Sequence, residues 1–168
     1  PDPRGIGIAM LCRLPVLRIV SHRLTLLDPA APETPENHFA RDLLRIDIRT
    51  PAGAILSVYG AHFKSKLDTP GDPQSAHRRL AEAARAAAII AQEMAEKKAA
   101  GGRGDFILLG DFNDTPDAPP LQKLRAGLPS SVDALDAIAP VRRITYESAR
   151  FHESIDDILV ARDLTITS

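Results

Sequence analysis

The chain has no tryptophan, and aromatic residues fill only 4% of its 168 positions. Its core must therefore rest on alanine, leucine, isoleucine and valine. A single cysteine, Cys12, excludes an internal disulfide framework. No apolar run approaches the roughly 18 residues of a membrane span, and no signal-peptide pattern is present. The first residue is Pro1 rather than methionine, so the missing targeting signals do not fix a compartment. Charge imbalance is missing too. The formal charge is −1, which excludes the global basic field that drives non-specific nucleic-acid binding. A polyanionic substrate would need a local positive cluster instead. Neither a Gly-x-x-x-x-Gly-Lys phosphate loop nor a Cys/His set with zinc spacing occurs.

What is present fits a globular chain. Apolar residues make up 44% and charged residues 26%, and the length suits one domain, taken as 1–168, or a large piece of one. Segments 5–11 and 16–20 are short and β-leaning. The proline-rich stretch 28–37 reads as an exposed loop. Residues 43–48 alternate, with Leu44, Ile46 and Ile48 on one side and Arg45 and Asp47 on the other, which predicts a half-buried strand. A turn at 50–54 leads to a second strand over 54–63, so the pair reads as a hairpin. After a Pro/Gly/Asp loop at 67–74, a long helix is predicted over 75–100, with Leu80, Ala84, Ala87, Ala91 and Met94 as its apolar stripe. Residues 105–109 form a short buried strand. Helical pieces follow at 121–126 and 132–138, and strands at 158–161 and 164–167. Hairpin mixed with helix gives an α/β or α+β class with a mixed sheet.

Three segments carry chemistry. In Leu109-Gly110-Asp111-Phe112-Asn113-Asp114 a buried strand runs into polar groups. Side chains alternate along an extended chain, so Asp111 and Asn113 are expected to point one way and Phe112 into the core. A carboxylate there can position a water or a divalent cation, and an amide can donate to a phosphoryl oxygen. Gly110 would let a ligand approach the backbone. The same letters also make an ordinary turn. In His62-Phe63-Lys64, imidazole and ammonium share a face at a strand end, suited to protonating a leaving oxygen and holding phosphate. In Asp156-Asp157-Ile158 two acids enter an apolar strand, where a carboxylate could orient a catalytic imidazole. Arg41 could grip phosphate bidentately, although read alone it is a surface arginine. Arg78 and Arg79 could complete a positive cluster, against the unfavourable field of a helix N-terminus.

In this order, Phe39-Ala40-Arg41-Asp42, His62-Phe63-Lys64-Ser65, Leu109-Gly110-Asp111-Phe112-Asn113 and Ile155-Asp156-Asp157-Ile158-Leu159-Val160 resemble the endonuclease/exonuclease/phosphatase superfamily. The resemblance implies a deoxyribonuclease-like two-sheet sandwich flanked by helices, here truncated at both ends. It implies metal-dependent phosphoester hydrolysis, of nuclease type, by a monomer acting on nucleic acid with magnesium, or manganese or calcium in its place. Asp111 would orient or deprotonate the attacking water, and Asn113 would steady the phosphoryl group. Together they would hold the metal. His62 would be a phosphate ligand or general acid, Arg41 and Lys64 would bind substrate, and Asp156 would orient a histidine. The family's metal-binding Glu, its first Asn and its final Asp-His are not found, so the chain alone is expected to be inactive or nearly so. A non-catalytic phosphate- or partner-binding module is the alternative, and phospholipid or inositol phosphate is the alternative substrate.

Overall fold

The computed structural model describes residues 5–164. Strand β1 (Val16–Ser21) pairs antiparallel with β2 (Leu43–Arg49), which forms the expected hairpin with β3 (Ile55–His62). Gly53 turns that hairpin at a φ of 82°, in the left-handed region where a side chain is disfavoured. The chain then runs through helix α1 (Ala76–Ala99) into β4 (Phe106–Asp111), parallel to β3. Such a parallel step needs a crossover, and α1 supplies it. Next come helix α2 (Pro119–Gly127), β5 (Ser131–Asp133), the short ribbon of β6 (Tyr146–Glu147) and β7 (His152–Glu153), and β8 (Asp156–Ala161). Six strands make one mixed sheet in the order β1-β2-β3-β4-β8-β5, and β6 and β7 stand apart. This is the α/β architecture expected. Among the described residues the six-stranded sheet and the ribbon are the two sheets of the chain.

Both helices belong to one core. Leu43, Tyr59, Phe63, Leu108 and Leu159 of the sheet face pack in one buried cluster with Ala83, Ala86, Ile90 and Met94 of α1 and Leu121 and Leu124 of α2. The buried stripe of α1 is rotated from the one predicted. Leu80 and Ala91 are exposed, while Arg79 and Glu82 are buried in the first turns. Polar groups at those positions are held by bonds to loops, which the periodicity of apolar letters cannot register. Strand β2 departs from the half-buried expectation as well. Arg45 and Asp47 are 4% and 6% exposed, because the face they occupy lies under α1. There Arg45 and Lys97 clamp Asp47, Ser57 donates to the same carboxylate, and Glu93 receives Arg45 and the Tyr59 hydroxyl.

Other differences are local. Segment 5–11 is extended but joins no strand. It crosses the opposite sheet face, where Ile8 and Met10 come so close to Gly60 that a β-carbon there would sit 2.9 Å from Met10. Residues 132–138 begin as β5 and tighten into a 3-10 turn over Ala134–Ala137, with the Asp133 carboxylate capping Leu135 N–H at 2.7 Å. The strand predicted over 164–167 falls, from 165 on, outside the described residues, and Leu164 lies in a bend.

Candidate active site

The sheet places three of the expected residues on one rung. His62 ends β3 and pairs in register with Asp111 at the end of β4, and Asp111 pairs with Asp156 at the start of β8. Paired positions on neighbouring strands carry their side chains on the same face. His62, Asp111 and Asp156 therefore stand side by side on the face away from the helices. His62 Nε2 lies 3.6 Å from Asp111 Oδ2, an ion-pair distance too long for a hydrogen bond. Burial raises the Asp111 carboxyl above the ordinary carboxylate range, and the neighbouring negative charge of Asp156 adds to it. The Asn113 N–H and the charges of His62 and Arg41 oppose the shift without cancelling it.

Asp157, the next letter, serves the other face. It is buried and bound at 2.8 Å to Arg125 of α2, which also holds Asp133 at 2.5 Å. Strand alternation thus assigns two adjacent aspartates to different tasks, one to the rung and one to the helix layer.

The alternation argument for Asn113 does not hold. The strand stops at Asp111, and Asn113 sits at a φ of 53°, a left-handed conformation that asparagine tolerates better than most residues. The pair still meets, because the Asp111 carboxylate turns back to accept the Asn113 N–H at 2.8 Å. Phe112 is fully buried as expected, edge-on to Phe63 with ring centroids 5.0 Å apart. Gly110 is required by the neighbouring strand. A β-carbon there would lie 1.8 Å from the Ala61 carbonyl oxygen.

Arg41 is a buried residue, not a surface one, at 2% exposure. Its guanidinium donates to the Phe63 carbonyl, which also accepts the Asn113 amide N–H at 2.9 Å. Lys64 is half-buried on the segment that leaves His62. Of the expected positive cluster, Arg79 meets Lys66 across the Asp114 carboxylate that both bind, so its charge is offset there. Arg79 is spent on Asp114 at 2.9 Å and on the carbonyls of Lys64, Gln74 and Ser75, and Arg78 donates to the carbonyls of Pro35 and His38. The field at the α1 N-terminus is met by Asp72, which accepts the N–H groups of His77 and Arg78.

Sequence reasoning missed several residues around this rung. Glu82, fully buried, binds backbone on either side of the site segments. Lys66 bridges Asp114 at 3.1 Å and Glu153 at 3.8 Å, tying the ribbon to the site loop. Phe39, Phe63, Phe106, Phe112 and Tyr59 are all 3% exposed or less, whereas Tyr146 and Phe151 are 43% and 51% exposed. Those two aromatics line one cavity of about 410 Å³ with Lys66, Leu67, Asn113 and Ile155. A second cavity of about 550 Å³ runs over the open sheet face, between Ile8, Met10, Ile46 and Val58, and reaches His62 and Asp111. Among the described residues no three His, Cys, Asp or Glu side chains lie together in a way that could hold a metal ion. No described helix is long and apolar enough to cross a membrane.

A family profile matches residues 1–168, that of the endonuclease/exonuclease/phosphatase family. The chain belongs to this family. Its fold agrees with solved members of similar architecture. The human Nocturnin catalytic domain, solved with a bound sulfate anion, is 14% identical at a TM-score of 0.60, over 89% of this chain and 49% of that one. ANGEL2, a 2′,3′-cyclic phosphatase, is 13% identical at a TM-score of 0.65, over 89% of this chain and 56% of that one. Sphingomyelinase C from Streptomyces griseocarneus is 16% identical at 0.56, over 89% and 50%. At these identities the likeness establishes the fold. This endonuclease/exonuclease/phosphatase chain spans about half the length of the structures it matches. No curated protein sequence matches it.

Proposed function

We propose that these residues form part of a metal-dependent phosphodiesterase of nuclease type, with the His62–Asp111–Asp156 rung at its centre. The observation that carries this reading is the pairing of Asp111 with a second acid and an imidazole on one rung. The rung's electrostatics are ones that a proton or a nearby positive charge would relieve. Burial and Asp156 both disfavour the Asp111 anion, and a raised carboxyl is better placed to take a proton from water near neutral pH.

The donors also fit a hard cation. Asp111 offers a carboxylate. Asn113 gives its amide N–H to Phe63, which leaves its oxygen as the end available to the site. Carboxylate and amide oxygens are the ligands that magnesium and calcium take. When bound there, such an ion would offset the charge that develops on the phosphoryl oxygens. Asp111 orients the attacking water and accepts its proton. His62 contacts the phosphoryl group or protonates the leaving oxygen. Arg41 and Lys64 supply positive charge on the segments beside it, and Asp156 holds a histidine or the Asp111 proton.

Nucleic acid is favoured over lipid by the aromatic cavity. The two exposed aromatics of the chain stand beside Asn113, where a base next to the bound phosphate could stack. On this reading the chain itself binds phosphate, and its rate of hydrolysis is left to measurement.

Two measurements test this. Inorganic phosphate is titrated into the chain while the His62 and Asn113 resonances are followed. Magnesium-dependent hydrolysis of bis-p-nitrophenyl phosphate, plasmid DNA and sphingomyelin is assayed for the chain and for the complete polypeptide that carries it. Shifts at both residues, and DNA hydrolysis abolished by Asp111→Ala, support the reading. Hydrolysis indifferent to Asp111→Ala, or phosphate that leaves both residues unmoved, removes it. A preference for sphingomyelin would move the assignment to the lipid branch.

A further inference from the structure

Glu82 is a fully buried carboxylate whose two oxygens are both spent on backbone beside the rung. One oxygen accepts the Ala40 N–H at 2.7 Å and the other the Lys64 N–H at 2.7 Å. Ala40 immediately precedes Arg41, and Lys64 follows His62 by two residues. A single side chain of α1 therefore anchors both segments that bring positive charge to the site.

The second anchor has a further effect. The Lys64 N–H and the Phe63 carbonyl belong to one peptide group, and the chain has no cis peptide bonds among its described residues. In a trans peptide these two groups point in opposite directions. Glu82 holds the N–H toward the helix, so the carbonyl faces the site, where it receives the Arg41 guanidinium and the Asn113 Nδ2. Only the NH₂ end of an amide can donate to a carbonyl. The orientation of this peptide therefore decides which end of Asn113 is left for a ligand. In the structure the oxygen is left. With the peptide reversed, its N–H would face Asn113, the amide would turn over, and the NH₂ end would be offered instead.

We infer that Glu82 is a positioning residue. By fixing the Phe63–Lys64 peptide it sets the polarity of the Asn113 amide and the reach of Arg41 toward a phosphate ester. The inference rests on the rung being the phosphoester site, but its geometry can be tested separately. A residue that merely filled space at this point would be replaceable by an apolar side chain without effect on Asn113.

The test uses Glu82→Gln and Glu82→Leu in the same chain. Glutamine keeps the shape but sets an NH₂ group against one of the two N–H donors, and leucine removes both acceptors. Amide hydrogen exchange at Ala40 and Lys64, the Asn113 side-chain NH₂ resonances and the affinity for inorganic phosphate are measured. At Ala40 or Lys64, exchange should quicken by roughly tenfold in the glutamine variant, and at both in the leucine variant. The Asn113 NH₂ signals should move and phosphate affinity should fall by about tenfold, as expected when a buried acceptor is lost and its N–H donors are left unpaired, while core amides of β4 keep their protection. Should the leucine variant fail to fold, the glutamine variant decides. A folded glutamine variant with parental Asn113 signals and parental phosphate affinity overturns the inference. If the parent chain itself does not bind phosphate, the phosphoester reading falls. The Asn113 and Lys64 signals then still decide whether Glu82 sets the peptide.

Discussion

The two faces of the sheet carry the same kinds of residue and treat them in opposite ways. Under α1, Asp47 is surrounded by Arg45, Lys97 and Ser57. Burial works against its charge, yet the hydrogen bonds from Arg45, Lys97 and Ser57 win and bring its carboxyl from 3.8 down to about 2. On the far face, burial and then the negative charge of Asp156 leave the Asp111 carboxyl raised, against the opposing pull of the Asn113 N–H, His62 and Arg41. A matched carboxylate holds the fold together. A mismatched one is left at some cost to stability, and strained electrostatics of that kind gather where chemistry is done.

The comparison can be broken most forcefully at Asp111. In the complete polypeptide, Asp111→Ala is expected to lower phosphodiester hydrolysis on the order of a thousandfold. The melting temperature should stay level or rise, since the cost of burying this carboxylate, and with it the repulsion from Asp156, outweighs the Asn113 N–H and His62 contacts that are lost. A large drop in melting temperature would mean that Asp111 is structural after all.

Asp47→Ala should do the reverse. It leaves Arg45 and Lys97 without their shared carboxylate in a buried setting, a loss of about 3–5 kcal/mol by analogy with broken buried pairs. Urea unfolding of the chain would measure it, and a change under 1 kcal/mol, on the order of a surface pair, would contradict the network described.

Acid sharpens the contrast further. Glu93 is also held down, from 4.5 to about 2. Burial opposes its charge, and His22, Tyr59 and Arg45 prevail. Depressed carboxyls bind fewer protons folded than unfolded. Their stabilisation is complete above about pH 5 and is lost as pH falls toward 2, on the order of 2 kcal/mol for each group. Stability measured from pH 5 to pH 2 should show this slope, and Asp47→Asn should flatten it.

The smallest expected effect concerns Asp133. Burial, and then the hydrogen bond and charge of Asp157, raise it from 3.8 to about 6. A raised acid binds its proton more tightly in the folded chain, so its contribution is present below about pH 4 and is lost as pH rises through 6. Asp133→Asn should make stability between pH 4 and 6 less dependent on pH. An unchanged profile would show that Arg125 satisfies both acids.

Much of the site was legible as text. The run Gly110-Asp111-Phe112-Asn113 after an apolar strand, and the hairpin ending in His62, gave the family and the members of the rung, because strand ends and turn residues are local signals. Glu82, and the burial of Arg79, escape the sequence because both lie in the buried stripe of α1, while the apolar periodicity runs along neighbouring positions. A charged residue three positions from another inside a correctly phased stripe would have been the signal. Tyr146 and Phe151 sit in a loop-like stretch that has no period to read.

The amino-acid order by itself determined the strands β1, β2, β3, β4 and β8, the long crossover helix and the identity of the acids and imidazole, since each depends on residues within a few positions of one another. Only the tertiary structure decided which face each residue serves. Strand alternation makes two faces but does not say which one a helix will cover. That choice separated Asp156 from Asp157, buried Arg45 and Asp47 beneath α1, and brought Glu82 to the peptide beside His62. Each outcome depends on contacts between segments far apart in the chain.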